Sequence, residues 1–342
     1  FRRYAYAFVT DSTVEWRYDA TRGTVESAFR FTTKPREGTE TGTLFALYPH
    51  QWHSSSQELS GHFYDSVRGP MKLAAGSGFT TSMNLPAVLP SLPLTPAVDQ
   101  PKLRELIAAD LAPAPQLMGD TYWIGKQLGK WATLLPLAEQ AGEKTAVAEC
   151  DRRMRAVLER FFTATGPGGE PKKAADGLFA FDPNWGTLIG YPASYGSDDQ
   201  LNDHHFHYGY FLRAAGEIAR RDPAWAKQWQ AMLQLIIRDV VSPDRADPMF
   251  PWLRCFDPYA GHSWASGHAN FGDGNNNESS SEAVNAWFGI MLLGEATGDK
   301  ALRDLGAWLL TTEIAAIEDY WFDVRDTLHP PGYPASVVTM VW

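Results

Sequence analysis

Short runs that mix β-branched and aromatic residues with polar ones fill the first hundred positions. Tyr4-Ala5-Tyr6-Ala7-Phe8-Val9, Thr24-Val25-Glu26-Ser27-Ala28-Phe29-Arg30-Phe31 and Thr43-Leu44-Phe45-Ala46-Leu47-Tyr48 read as strands. Gly- and Pro-bearing stretches such as 34–42 punctuate them. Residues 84–101 are rich in Pro and apolar side chains and read as a linker or docking loop. Beyond Pro101 the period changes. Apolar residues recur at three and four spacing through 122–141, 145–162, 206–219, 225–241, 283–296 and 301–317, which predicts a helix in each. Gly142, the Gly166-Pro167-Gly168-Gly169 turn, Pro223, Pro243 and Gly298 break them. The helices fall in pairs with short joints at Arg220-Arg221-Asp222-Pro223 and Thr297-Gly298-Asp299-Lys300. Between pairs lie long segments rich in Gly, Asp, Asn and aromatics, 176–203 and 243–277, and loops of that length are usually functional. This pattern predicts a mainly α chain: a β-rich segment over 1–95, then an α/α barrel over 96–342 with its cleft at the loop end. An irregular helical bundle is the alternative architecture. There is no short solenoid repeat.

Composition narrows the partners. The formal net charge is -10, against the basic face that a nucleic-acid backbone or an anionic membrane would need. A neutral polymer fits. Aromatics make up 13% of the chain, including 13 Trp and 13 Tyr, which suits either a Trp-rich core or a cleft that stacks sugar rings on indoles. No run of about 18 apolar residues predicts a transmembrane helix. Cys150 and Cys255 are too few for a disulfide framework or a Cys-type zinc site and read as two separate buried thiols. The chain opens at Phe1 in a strand-like run and closes on the apolar Val337-Val338-Thr339-Met340-Val341-Trp342. Both ends predict a fragment of a longer protein, so a missing signal peptide is silent about secretion.

Three segments carry candidate chemistry. Asn202-Asp203-His204-His205-Phe206-His207-Tyr208-Gly209-Tyr210-Phe211 places a carboxylate, three imidazoles and several aromatics where a long loop enters a helix. Asp203 alone would read as a helix cap, but a cap needs no cluster of His and Tyr beside it. The spacing of His204 and His207 allows two metal ligands, yet HExxH is absent and no carboxylate follows at ligand spacing, so no metal is expected. In Asp273-Gly274-Asn275-Asn276-Asn277-Glu278-Ser279-Ser280-Ser281-Glu282-Ala283-Val284-Asn285, the residues Glu278, Glu282 and Asn285 would share one face at a helix start. The alternative is a solvated acidic first turn that suits the helix dipole. Between these lies Gly261-His262-Ser263-Trp264-Ala265-Ser266-Gly267. Ser263 is not in a GxSxG elbow. His262 and Trp264 read as cleft wall or support, with core packing equally open for Trp264. Together the first two segments offer what glycosidic hydrolysis needs, one carboxylic acid to protonate the leaving oxygen and one carboxylate to activate water or attack carbon.

These segments, in this order, resemble glycoside hydrolase family 81, the endo-β-1,3-glucanases, with weaker echoes at Tyr48-Pro49-His50 and Tyr122-Trp123-Ile124-Gly125-Lys126. The resemblance implies an inverting endo-hydrolase of β-1,3-glucan, secreted and without a cofactor. Its implied fold is an (α/α)6-type barrel, incomplete here, preceded by the remnant of a β-sandwich. By motif position Asp203 would be the general acid and Glu278 the general base, with Glu282 as a neighbouring support or alternative base. His205, His207, Tyr208 and His262, with Trp264 and Asn285, are the candidate substrate contacts. One departure is Asn277, which stands where the family carries Gln; the shorter amide keeps both donor and acceptor. A monomer acting on glucan is expected. A polysaccharide lyase, or a glucan-binding module without catalysis, is the competing reading.

Overall fold

The strand-like pattern of the first hundred residues becomes two antiparallel sheets. The computed structural model describes residues 1–86, 91–93, 95, 97–266, 268, 270–272 and 274–342, and its contacts divide the chain into two units. Residues 87–90, 94 and 96 of the expected linker 84–101, with Gly267 and Asp273 of the motifs, lie outside the described residues. The first unit comprises Phe1–Pro86, Asp257–His262 and Ala307–Trp342. In it β1 (Ala7–Asp19), β2 (Thr24–Pro35) and β6 (Gly78–Asn84) form one sheet in the order β1-β2-β6. The other sheet, in the order β3-β5-β4, is built from β3 (Thr43–Leu47), β4 (Phe63–Ser66) and β5 (Gly69–Gly76), and the short helix α1 (Pro49–His53) follows β3. Alternate residues of β2 point inward, among them Val25, Ser27 and Phe29. The two sheets meet through phenylalanines: Phe79 stacks on Phe29 at 4.7 Å and on Phe45 at 5.4 Å. Trp16 stacks on the buried Trp308 at 4.1 Å, and the Trp308 indole N–H donates to Ser27 Oγ.

The second unit, Ala87–Phe256 and Ser263–Gly306, is α-rich. Its helices are α2 (Gln100–Leu111), α3 (Thr121–Gln140), α4 (Lys144–Phe161), α5 (His204–Arg221), α6 (Pro223–Val241) and α7 (Ser280–Thr297), followed by the start of α8 (Lys300–Tyr320). Local signals set their ends. Asp120 Oδ1 accepts from the N–H groups of Tyr122 and Trp123, and Asp222 Oδ1 accepts from Trp225 N–H, so both carboxylates cap helix starts. Gly298 closes α7 in the left-handed region at φ 72°. Helix α5 is the centre of the unit, buried from His204 to Ala219. It can lie so close to α7 because glycines face it. A Cβ on Gly209 would stand 2.6 Å from Ala286 Cβ, and one on Gly289 would stand 2.7 Å from the Arg213 backbone nitrogen. Among the described residues, no helix is long and apolar enough to cross a membrane. Cys150 and Cys255 are free, buried thiols.

Several elements differ from the sequence pattern. Arg2–Tyr4 is a 3-10 turn, and the first strand starts only at Ala7. Helix α2, capped by Asp99, follows directly on the stretch read as a linker. The segment read as irregular over 176–203 contains a hairpin, β7 (Leu178–Asp182) and β8 (Thr187–Tyr191). Among the described residues of the other long segment only β9 (Phe256–Asp257) and β10 (His262–Ser263) are regular. Strand β5 has no β-branched residue and pairs with the distant β3 as well as with neighbouring β4, while β6 pairs with the distant β2. Such strands are specified by pairing and burial, not by local propensity.

The α5–α7 contact gives a test of this packing. Gly289→Ala should destabilise the protein by about 1–3 kcal/mol in urea unfolding, because overpacking outweighs the roughly 1 kcal/mol gain in helix propensity. Gly272→Ala, whose new methyl meets nothing within 4 Å, should be nearly neutral; equal effects would contradict the close approach.

Candidate active site

The acid candidate is fixed by an unusual backbone. The loop from β8 to α5 holds three non-glycine residues in the left-handed region: Tyr195 at φ 53°, Leu201 at φ 53° and Asp203 at φ 59°. Such conformations cost on the order of 1–3 kcal/mol each and persist only where the surroundings enforce them. Asp203 occupies the N-cap position of α5, yet its side chain makes no capping bond. Its N–H donates to Ala265 C=O at 2.8 Å, and its C=O accepts from His207 N–H at 2.9 Å. The carboxyl is therefore free of helix duty, and it is buried. Oδ2 accepts from Asn202 Nδ2 at 3.0 Å, while Oδ1 is buried without a partner among the described residues. Burial first, then the charges of Glu278 and Glu282, push its pKa from 3.8 up to about 8. The group keeps its proton at neutral pH.

Glu282, in the first turn of α7, has the opposite fate. Its Oε1 accepts from Lys126 Nζ at 2.7 Å and from Tyr210 Oη at 2.6 Å. Burial disfavours its charge, but hydrogen bonds from Lys126, Tyr210 and Ser279 outweigh that and hold its carboxyl below the usual range. Sequence explains the fit. Gly125 and Gly129, one turn apart on α3, leave the slot that the Tyr210 ring fills. Lys126, between them, also donates to Tyr210 Oη at 2.9 Å. Glu282 is thus an ionised neighbour with both partners fixed.

Glu278 is exposed and lies two residues ahead of α7, which begins at Ser280. The expectation that Glu278, Glu282 and Asn285 share a helix face is corrected here, since Glu278 precedes the helix. It nevertheless joins Asp203 and Glu282 in the lining of one cavity of about 200 Å³. The rest of the wall is Tyr122, Trp123, Tyr195, Phe206 and His207. The Tyr122 ring meets Trp123 and Tyr195 edge-on at 5.3 and 5.0 Å. Trp123 and Tyr195 are 53% and 56% exposed, so large aromatic faces stand open beside the carboxyls. A cavity that pairs apolar ring faces with few convergent polar groups suits an uncharged, hydroxyl-bearing ligand. Among the described residues, no group of three or more His, Cys, Asp or Glu is arranged to hold a metal ion.

The other sequence candidates separate. His207 lines the cavity, its Nδ1 is 2.9 Å from Thr121 Oγ1, and burial pushes its pKa down to about 3. His205 is instead core: it is fully buried, stacks near Trp287 at 5.9 Å, and burial holds its imidazole neutral. Tyr208 is core as well. Its hydroxyl accepts from Gly190 N–H and donates to Leu188 C=O, anchoring β8. His262 belongs to the first unit, where its ring packs against Tyr320 and Trp321. Neither Trp264 nor Asn285 is among the described residues lining the cavity. His204, which the sequence offered only as a metal candidate, pairs with Asp239 at 2.7 Å and with Ser197 C=O at 2.7 Å. Sequence reasoning missed Tyr195, treated Tyr122, Trp123 and Lys126 only as an echo, and gave Phe206 and Tyr210 no role beyond their motif. One signal was available: Asp203, His207 and Tyr210 are spaced by four and three, one face of α5.

Comparison with known proteins supplies a family. The Glycosyl hydrolase family 81 C-terminal domain matches residues 98–341. A glucan endo-1,3-beta-D-glucosidase of Acetivibrio thermocellus is 50% identical over 100% of this chain and 44% of its own length. One from Thermobifida fusca is 46% identical over 99% of this chain and 44% of its own. A solved structure described as glycoside hydrolase family 81 from Clostridium thermocellum superposes with a TM-score of 0.91 at 49% identity, covering 100% of this chain and 47% of that one. The chain spans less than half the length of the curated relatives it matches.

The raised pKa of Asp203 has a stability consequence. Folding favours its protonated form, so its contribution is full below about pH 4 and is lost as pH rises toward about 8. Asp203→Asn cannot ionise and should raise the Tm at neutral pH by roughly 5 °C. That gain should vanish by about pH 3.5, where an unfolded aspartate is itself protonated. A gain of the same size at both pH values would contradict the raised pKa.

Proposed function

The chain belongs to glycosyl hydrolase family 81, and from that membership we propose that it hydrolyses internal bonds of β-1,3-glucan by an inverting acid–base mechanism. Asp203 is the acid: its proton passes to the glycosidic oxygen as the bond to the anomeric carbon breaks. Glu278 is the base: it takes a proton from a water that attacks that carbon from the opposite face. Glu282 acts on neither atom directly; its fixed charge helps keep the proton on Asp203. The observation that carries this reading is a buried Asp203 carboxyl that holds its proton to about pH 8 while sharing one cavity with the exposed Glu278. One site thus offers a donor and an acceptor together, as hydrolysis requires. The Trp123 and Tyr195 faces support a sugar substrate, and the net charge of -10 supports a neutral one over a polyuronate.

The remaining assignments follow from the family. We assign residues 1–95 to a β-sandwich and its link, and residues 96–342 to an (α/α)6-type barrel, although Asp257–His262 and Ala307–Trp342 group with the β-rich unit. The enzyme acts outside the cell as a monomer, without a cofactor. Of the substrate contacts, His207 is retained beside the aromatic wall, while His205, Tyr208, His262, Trp264 and Asn285 act at most through the residues they support.

Incubation with laminarin should generate new reducing ends, and proton NMR of the earliest product should show the α-anomer. A β-anomer first would overturn the base role of Glu278. Glu278→Gln should lower kcat by roughly 100- to 10,000-fold and leave laminarin binding intact. The kcat/KM profile should fall as pH rises through about 8, where Asp203 loses its proton.

A further inference from the structure

Glu278 poses a positional problem. It is exposed, yet a base that presents water to an anomeric carbon must be fixed to within a fraction of an ångström. The backbone around it supplies the constraint. Asp203 N–H donates to Ala265 C=O at 2.8 Å, and Ala265 N–H donates to Asn276 C=O at 2.7 Å. One residue, Ala265, is therefore bonded through its C=O to the acid and through its N–H to the segment that carries the base. Asn277, immediately before Glu278, is fully buried, and its Nδ2 donates to Ser263 C=O at 2.9 Å and to Ser263 Oγ at 3.0 Å. Its Oδ1 accepts from Ser279 N–H at 3.2 Å, so the amide grips both sides of Glu278. Asn275 adds a second clasp: Oδ1 accepts from Ser266 N–H and Nδ2 donates to Ser266 C=O.

We propose that residues 263–266 form a spacer that sets the separation of acid and base, and that Asn277 is the positioning residue locking Glu278 to it. This deepens the acid–base reading above and rests on it. Inversion needs acid and base carboxyls roughly 6.5–9.5 Å apart to admit water, so the two segments have to be held at a fixed remove, and Ala265 ties both of them to one residue.

The test compares laminarin with β-laminaribiosyl fluoride, whose leaving group needs no acid. Asn277→Ala should lower kcat roughly 10- to 100-fold by the same factor on both substrates, with KM within about twofold and the alkaline limb of the pH profile unmoved. Asn277→Asp, which cannot donate to Ser263, should behave the same way, while Asp203→Asn should lose more on laminarin than on the fluoride. If Asn277→Ala does not fold, Ser263→Ala carries the test, removing one acceptor for a loss of roughly 3- to 10-fold with the same pattern. An unchanged kcat, or a loss on laminarin that exceeds the loss on the fluoride, would overturn the positioning role. A wild-type protein inert on both substrates would instead overturn the acid–base reading itself.

Discussion

A carboxyl keeps its proton near neutral pH only where ionisation is unfavourable, and much of the α-rich unit can be understood from how Asp203 is held in such a place. Burial supplies the larger part and neighbouring negative charge the rest. Each contribution requires its own support. The negative charge is dependable only because Glu282 is kept ionised by Lys126 and Tyr210. Tyr210 reaches it only because Gly125 and Gly129 open α3 to its ring. His207, in the same wall, would neutralise the effect if it were cationic, and burial holds it neutral.

Such a site is unfavourable for folding. Asp203 is strained in its backbone and leaves one buried oxygen without a partner among the described residues. The surroundings offset this with close packing and with a buried polar cluster. Helix α5 is sunk along sixteen consecutive residues from His204 to Ala219. Next to Asp203, His204 is fixed by Asp239, whose carboxylate also accepts from Thr187 Oγ1, Leu188 N–H and Arg254. The residue that bears the strain is thus followed at once by one with no freedom to relax it.

How much of this was legible in the sequence follows from the range of the forces involved. Helices α3 to α8 are set by local periodicity and by caps such as Asp120, Asp222 and Gly298, and all were readable within a few residues. The three carboxylates were readable as a set because ordered motifs carry them. What side chains meet was not. His205 and Tyr208 sit in the same motif as His207, but α5 turns them into the core, where Trp287 and strand β8 receive them. Tyr195 is in a loop whose left-handed residues no local pattern announces. Lys126 and Glu282 are 156 positions apart, and their pairing depends on how α3 and α7 flank α5. The hairpin β7–β8 was lost for the same reason, since its inner face is defined by Tyr208 and Asp239 on helices that come later.

The central claim is that Asp203 is a neutral acid in the resting protein. Carbon-13 NMR of side-chain-labelled aspartate, assigned by Asp203→Asn, reads that carboxyl directly as pH is changed. The account predicts a midpoint near 8. A midpoint between about 3 and 5, the ordinary aspartate range, would contradict it.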